Sequence, residues 1–252
     1  MSIVITKNTV AITDLQRISG FEETDYAYLN GNIVWTGKHA STQHPRNAFS
    51  PWQPANFTFN ADKLREGAIT CHSLFESNHA LSKKAKGLML WLLSKDMPFP
   101  LNLSATRFDA IKLTLVSNDL QAFTSAARRV LGLGNGLTPS GDDFVGGILF
   151  ALAHAPRSSW KEELPTAIAS IHDAAKVSTN VISAALLDDL MAGKSYSALH
   201  DVLSALHTNN STNIEAACTK LLNLGSSSGA DMLAGLLLAF TTQHIESIHA
   251  VH

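Results

Sequence analysis

The sequence predicts an α+β protein: a β-rich N-terminal part followed by an all-helical C-terminal part with an internal helix repeat. Three observations predict it. Short β-branched and aromatic runs, separated by turn residues, fill the first third of the chain. From Asn118 onward apolar residues recur at helical spacing. Two segments, 140–152 and 228–240, align with each other without a gap.

The elements follow in order. Ser2–Thr6 and Thr9–Thr13 read as short strands. Tyr26–Leu29 and Asn32–Trp35 flank Asn30-Gly31, a pair that tolerates the positive φ angles of a type I′ hairpin turn. Trp52–Phe59, with Pro51 and Pro54, reads as an irregular or edge segment, and Gly67–Phe75 as a further strand. Leu81–Leu93 has a helical pattern; residues 88–93 are apolar all round and therefore expected to be buried. Ile111, Leu113 and Leu115 alternate with Lys112 and Thr114, which predicts a strand over Ile111–Val116. A boundary near residue 117 then divides a β-rich domain, 1–117, from a helical domain, 118–252.

In the second part, Asn118 with Gln121 resembles a capping box, and Gly132 ends that helix. A helix begins near Ser140. Ser159 with Glu162 opens a segment that restarts at Pro165. Leu186, Leu187, Leu190 and Met191 line a helix ending at Gly193, and Leu199, Val202, Leu203 and Leu206 line another. Thr212 with Glu215 caps a helix carrying Cys218, Leu221 and Leu222, which stops at Gly225. The last helix starts near Gly229 and runs toward the 244–252 tail.

Composition excludes several classes. At about 150 residues per domain, 252 residues make one large or two small domains, long enough to bury a core without disulfides. Charged residues are 16%, well below the usual quarter, so much surface is expected to be buried, an interface between subunits included. The net charge of −2 offers no basic excess for nucleic acid or an anionic membrane. Cys71 and Cys218 form no C-x-x-C pair, and Met1–Val10 lacks the apolar core of a secretory signal. The longest apolar stretch, Phe144–Ala153, is half a membrane span. A cytoplasmic protein is expected.

The repeat holds the chemistry. Ser140-Gly-Asp-Asp143 and Ser228-Gly-Ala-Asp231 each open an apolar helix, and Ser with an acid three residues on fits a capping box. Asp143, Gly147 and Ala151 share one helix face, as do Asp231, Gly235 and Ala239. Small residues allow backbones to approach closely, so the two helices are expected to pack as a pseudo-symmetric pair with their first turns together. Gly132-Leu-Gly134-Asn-Gly136-Leu-Thr-Pro139 precedes the first copy. Glycine-rich chain entering a helix N-terminus can cradle an anion with backbone N–H groups. It is neither a Walker A loop nor a dinucleotide fingerprint, because no Gly-Lys-Ser/Thr follows and residue 137 is Leu. Capping and packing alone would explain the second copy as well as a ligand would. The first copy has more than a cap requires, Asp142 above all.

Gly134-Asn-Gly-Leu-Thr-Pro-Ser-Gly-Asp-Asp143 with its apolar, glycine-containing helix resembles the signature of the AllH family. The likeness is most specific over Leu131–Leu152 and extends to Ser178-Thr-Asn180 and the helix to Gly193, and to Ser226–Leu237. The resemblance implies a subunit of an oxamate carbamoyltransferase complex in anaerobic allantoin (purine) breakdown. That complex converts oxalurate and phosphate to oxamate and carbamoyl phosphate, or the reverse. The partners implied are the other subunits and an anionic small-molecule substrate. The Ser-x-Arg-Thr motif of common carbamoyltransferases is missing; Ser104-Ala-Thr-Arg107 is followed by Phe108. On this reading Gly134, Asn135, Gly136, Thr138, Ser140 and Gly141, with Ser228, Gly229 and Asp231, are candidate substrate-binding residues, and Asp142 and Asp143 candidate catalytic ones. Asp142, Asp143 and Asp231 also have the oxygen ligands that Mg²⁺ takes. The alternatives are a scaffold subunit without chemistry and a stand-alone carboxylate- or Mg²⁺-dependent hydrolase.

Other candidates are weaker. His39 with His44, His72 with His79, and His244 with His249 have no established ligand spacing, so no metal is assigned to histidine. Cys71 and His72, adjacent on a strand, would point to opposite faces. Arg128-Arg129 suits a helix C-terminus.

Overall fold

A computed structural model describes residues 15–20, 24–29, 32–37, 44, 46, 83, 85–88, 90, 103–207 and 211–242. The expected strands at 2–6, 9–13 and 67–75, the segment 52–59, the turn Asn30-Gly31, the 244–252 tail and Cys71, His39, His72 and His79 lie outside the described residues. What is described is mostly helical, with a small sheet at the N-terminal side.

Strands β1 (Leu15–Gly20), β2 (Thr24–Leu29) and β3 (Asn32–Gly37) form an antiparallel sheet in chain order, with a register shift between Arg17 and Ser19. Leu29 pairs with Asn32, so the hairpin connection is two residues long, as the sequence predicts. Tyr26 faces Trp35 and Tyr28 faces Ile33 across β2 and β3, and period-2 alternation puts all four on one face.

Eight helices follow among the described residues: α1 (Ala105–Val116), α2 (Leu120–Val130), α3 (Ser140–His154), α4 (Leu164–Ser178), α5 (Val181–Met191), α6 (Ser197–His207), α7 (Ser211–Leu222) and α8 (Ser228–Thr241). The described residues between 83 and 90 are helical too, but Leu90 is exposed, so that stretch is not buried all round as expected; Leu88 is.

The strand expected over Ile111–Val116 is helix α1. Three alternating residues are too short a sample to fix a period. Phe108, Ile111 and Leu115 lie three and four apart and turn inward, while Leu113, the residue that made the alternation, is 67% exposed. Asn118 does not cap α2. It sits at φ 56°, and Asp119 is the cap, accepting from the Ala122 N–H at 2.8 Å. The capping boxes expected at Ser140 and Ser228 are not formed either. Pro139 and Ser227 hold the cap positions, and neither makes a side-chain cap bond.

Helices α3 and α8 are the axis of the fold, in more extensive contact with each other than any other pair of helices. Residues 140–152 of α3 are buried throughout. Gly147 lies against the Met232 carbonyl, and Gly235 against the Phe144 carbonyl; a Cβ added at either would stand 2.1 or 2.0 Å from that oxygen. Phe144 and Met232 are themselves equivalent in the two copies, so the contact is reciprocal, and Ala151 and Ala239 are fully buried. The pseudo-symmetric pair expected from the repeat is therefore present. Around it, α5 packs on α3, α7 on α8, α6 on α7, and α4 on α2 and α5. One contiguous apolar core runs from Ala85 to Phe240.

Two polar clasps hold the edges. Tyr26, Ile33 and Trp35 pack on Ile182 and Leu186 of α5, and Arg46, whose carbonyl accepts from the Trp35 N–H, grips Asp189 of α5 with Nε and Nη2. Arg157, buried, donates to the Leu115 carbonyl, to Asn118 Oδ1 and to Thr242 Oγ1, and lies 4.7 Å from the centre of the Trp160 ring. Burial lowers its pKa to about 10.

Gly235→Ala is expected to lower stability by about 3 kcal/mol, because backbone, not a movable side-chain tip, meets the new methyl. Gly87→Ala, helical with open space around it, should be neutral or stabilising by up to about 1 kcal/mol. Denaturant unfolding of the two variants checks both.

Candidate functional site

The first turns of α3 and α8 meet, and the glycine loop, 131–139, closes over them. Its shape depends on left-handed backbone at Gly132 (φ 75°), Gly134 (φ 128°) and Gly136 (φ 96°). Gly132 also presses on the Ser178 carbonyl, where a Cβ would stand at 1.9 Å. Gly134, Asn135 and Gly136 are exposed at the loop's crest.

Asp142 anchors that loop. Its Oδ1 accepts from the Gly132 N–H at 2.7 Å, and its Oδ2 accepts from the Thr179 and Ser183 hydroxyls, the latter at 2.6 Å. Asn180 adds a second tie. Its amide donates to the Leu137 carbonyl at 2.7 Å, while its Oδ1 caps α5 through the Ile182 and Ser183 N–H groups. The loop, the α4–α5 corner and α3 are thereby one unit. Asp142, expected as a catalytic residue, has its carboxylate engaged by three donors.

Several of the backbone donors around the two helix starts are occupied. The Gly141 N–H donates to the Leu133 carbonyl at 2.8 Å, and those of Asp142 and Asp143 both to Pro139. In the second copy the Gly229 N–H donates to Leu224 and that of Asp231 to Ser227. Gly141 and Gly229 have a packing task as well, since a Cβ would stand 1.9 Å from the Val130 carbonyl and 1.8 Å from that of Leu221.

What remains at the junction is side-chain chemistry. Asp143, only 4% exposed, looks toward the second copy. The Thr138 and Ser228 hydroxyls bond each other at 2.7 Å, and both favour the Asp143 carboxylate. Burial dominates nevertheless and holds the Asp143 carboxyl well above the usual carboxylate range, and the charges of Asp231 and Asp142 push the same way. Its Oδ2 and the Ser140 hydroxyl, which is fully buried, have no hydrogen-bond partner among the described residues. Two phenols stand within electrostatic range: Tyr26 of β2, pushed up to about 12 by burial and then by Asp143, and Tyr196, raised by burial, Tyr26, Asp143 and Asp189. Sequence reasoning missed both phenols, along with Thr179 and Ser183. Among the described residues no group of three His, Cys, Asp or Glu could hold a metal ion, because Asp142 turns away to its own donors.

Beside the site runs a buried aromatic and imidazole cluster. His44 lies 4.6 Å from both Trp35 and Tyr196, and His200 lies 5.0 Å from Phe150 and 5.8 Å from His154, centroid to centroid. Burial depresses both His44 and His200, the latter to about 4.

The geometry can be set against known proteins. Residues 130–240 match the family model described as oxamate carbamoyltransferase subunit AllH. Over that segment the chain is similar to the AllH family. The match spans both repeat helices, the glycine loop and everything between them. The AllH description names a subunit, which implies partner subunits for proteins of that family. No solved structure matches the chain. Among the described residues no helix is long and apolar enough to cross a membrane.

Asp142→Ala is expected to cost about 3 kcal/mol by leaving three donors without an acceptor, and Asp142→Asn, which keeps one carbonyl oxygen, less; denaturant unfolding reads both. A second expectation concerns pH. The folded His200 takes up a proton only near pH 4, the unfolded one near its ordinary 6.5, so acidification through that window favours the unfolded chain. His44 acts in the same sense, whereas Asp143 and Asp189, raised in the folded state, act oppositely. His200→Phe should therefore lose part of the stability drop between pH 6.5 and pH 4, measured by unfolding at several pH values.

Proposed function

We propose that the protein works as the AllH-like subunit of an oxamate carbamoyltransferase complex and that its substrate binds at the α3–α8 junction. The carrying observation is Asp143, a buried carboxyl with an unpartnered oxygen where the two repeat copies meet. Buried polar atoms without a partner are rare in folded proteins, and a bound ligand is one thing that satisfies them. Perturbed carboxyls concentrate at functional sites for the same reason.

In this reading the complex moves a carbamoyl group from oxalurate to phosphate. A phosphate oxygen bonds to the ureido carbonyl carbon, the bond from that carbon to the oxamate nitrogen breaks, and the nitrogen gains a proton. Asp143, whose hold on a proton is strengthened by burial and by Asp231, is suited to deliver that proton, and the one lost by phosphate restores it. Asp142 is a positioning residue that fixes the loop bearing Thr138. Gly134, Asn135 and Gly136 form the exposed rim. The phenol of Tyr26 brings the sheet to the same site, and that of Tyr196 the connection between α5 and α6. A low charge fraction fits a chain that covers part of itself with other subunits.

The test is turnover of oxalurate and phosphate by the chain assembled with its partner subunits. Asp143→Asn should lower kcat by about 100-fold or more with assembly intact. Unchanged turnover in that variant would leave the chain as a scaffold.

A further inference from the structure

The glycine loop is held at both ends, and the hold at its second end reaches outside the residues that match the family. Asp142 accepts from the Gly132 N–H at the start, and the Asn180 amide donates to the Leu137 carbonyl near the end. The Leu137 side chain, half-buried, packs on the cluster that Tyr26, Ile33 and Trp35 of the sheet form with Ile182 and Leu186 of α5. The next residue is Thr138, whose hydroxyl bonds Ser228 and favours the Asp143 carboxylate. The limb of the loop that enters the junction therefore rests on the seam between the sheet and α5. The charge of Asp143 acts on Tyr26, which places the sheet beside the junction by a second, independent contact.

Arg46 fixes where that seam lies. Its guanidinium donates to Asp189 of α5 through Nε and Nη2, and to the Ile33 carbonyl of β3 through Nη1 at 3.2 Å. Its own carbonyl accepts from the Trp35 N–H at 3.0 Å, and its N–H donates to His44 Nδ1 at 3.1 Å. A planar fork with fixed donor directions sets a position as well as an attraction. None of these partners belongs to the junction, so any effect of Arg46 there passes through the packed seam. We infer that the sheet is part of the frame of the junction: Arg46 and Asp189 are positioning residues that set the seam on which Leu137 rests, and Leu137 holds Thr138 against Asp143. The matched segment, 130–240, does not include the sheet, so a part of the chain beyond that segment shapes the site. The bearing of this frame on catalysis rests on the junction being the substrate site; the frame itself does not.

An NMR titration of the full chain, followed at the Asp143 side-chain carboxyl carbon and assigned through Asp143→Asn, tests it. Burial is the largest influence on that carboxyl, so a loosened junction should let it ionise at lower pH. Arg46→Met should lower its titration midpoint by about 1 pH unit or more. Leu137→Ala, which leaves the clasp intact, should do the same, and Leu137→Met, similar in volume, should leave the midpoint near that of the parent chain. Arg157→Met, which cuts the other clasp, should cost stability without moving the midpoint; Thr242→Val serves if that variant does not fold. Leu137→Ala decides alone if Arg46→Met does not fold. A midpoint unmoved in Leu137→Ala would overturn transmission through Leu137, and one unmoved in Arg46→Met the role of the clasp. An equal fall in Arg157→Met would reduce both to general loosening and overturn the frame. The titration needs no turnover, so the expected shifts in a chain whose complex leaves oxalurate untouched would keep the frame and remove the proposed activity.

Discussion

The structure depends on two carbonyl oxygens resting where side chains would otherwise be. Phe144 and Met232 each present a backbone carbonyl to a glycine of the opposite helix, Gly235 and Gly147. That reciprocal contact sets how closely α3 and α8 approach. It therefore sets how near Asp143 and Ser228 stand, since both lie within a turn of it. Packing interiors are dense enough that a shift at the contact would reach the first turns. The site is a consequence of the helix seam, and its residues differ between copies while the seam does not.

Around that seam the two copies have diverged in support. The first carries Asp142, which gathers Gly132, Thr179 and Ser183; the second has the apolar Ala230 in that place. The longer first loop, with its three left-handed glycines, needs such an anchor. The second turn, from Gly225 to Ser227, is short and is held by backbone bonds from Gly229 and Asp231. One copy thus became the framed half of the junction, and the other contributes Ser228 and Asp231 to it.

Much of this was legible in the chain because it is local or repeated. Asn30-Gly31 between apolar runs gave the hairpin register, and the gapless alignment of 140–152 with 228–240 gave the central pair, down to its glycines. The period failed at Ile111–Val116, where a single outward Leu113 imitated a strand. Capping logic failed at Ser140 because the preceding loop folds back and offers the Leu133 carbonyl to a helix donor. Asp142 was recognised as surplus to a cap, but its partners stand 37 and 41 residues away, and no local pattern names them. Tyr26 reaches the site through sheet-on-helix packing and Tyr196 from the connection between α5 and α6 beside it, a meeting that spacing along the chain does not encode.

Arg157 has a consequence of a different kind. Its guanidinium is buried, and its partners are neutral: the Leu115 carbonyl in the last turn of α1, an asparagine, a threonine and an indole face. The negative end of a helix dipole does here what a carboxylate does for Arg46. A carboxylate partner can be neutralised by protons or screened by salt; peptide carbonyls can be neither protonated in that range nor exchanged for counterions. The far ends of α1 and α8 are therefore joined by a charged contact whose partners do not titrate in acid; it weakens only toward the alkaline range, where burial brings the Arg157 guanidinium down to about 10. The seam between the sheet and α5, closed by an ion pair beside a titratable imidazole, has no such immunity. Acid will be felt first where the sheet meets the helices and last where Arg157 closes the bundle.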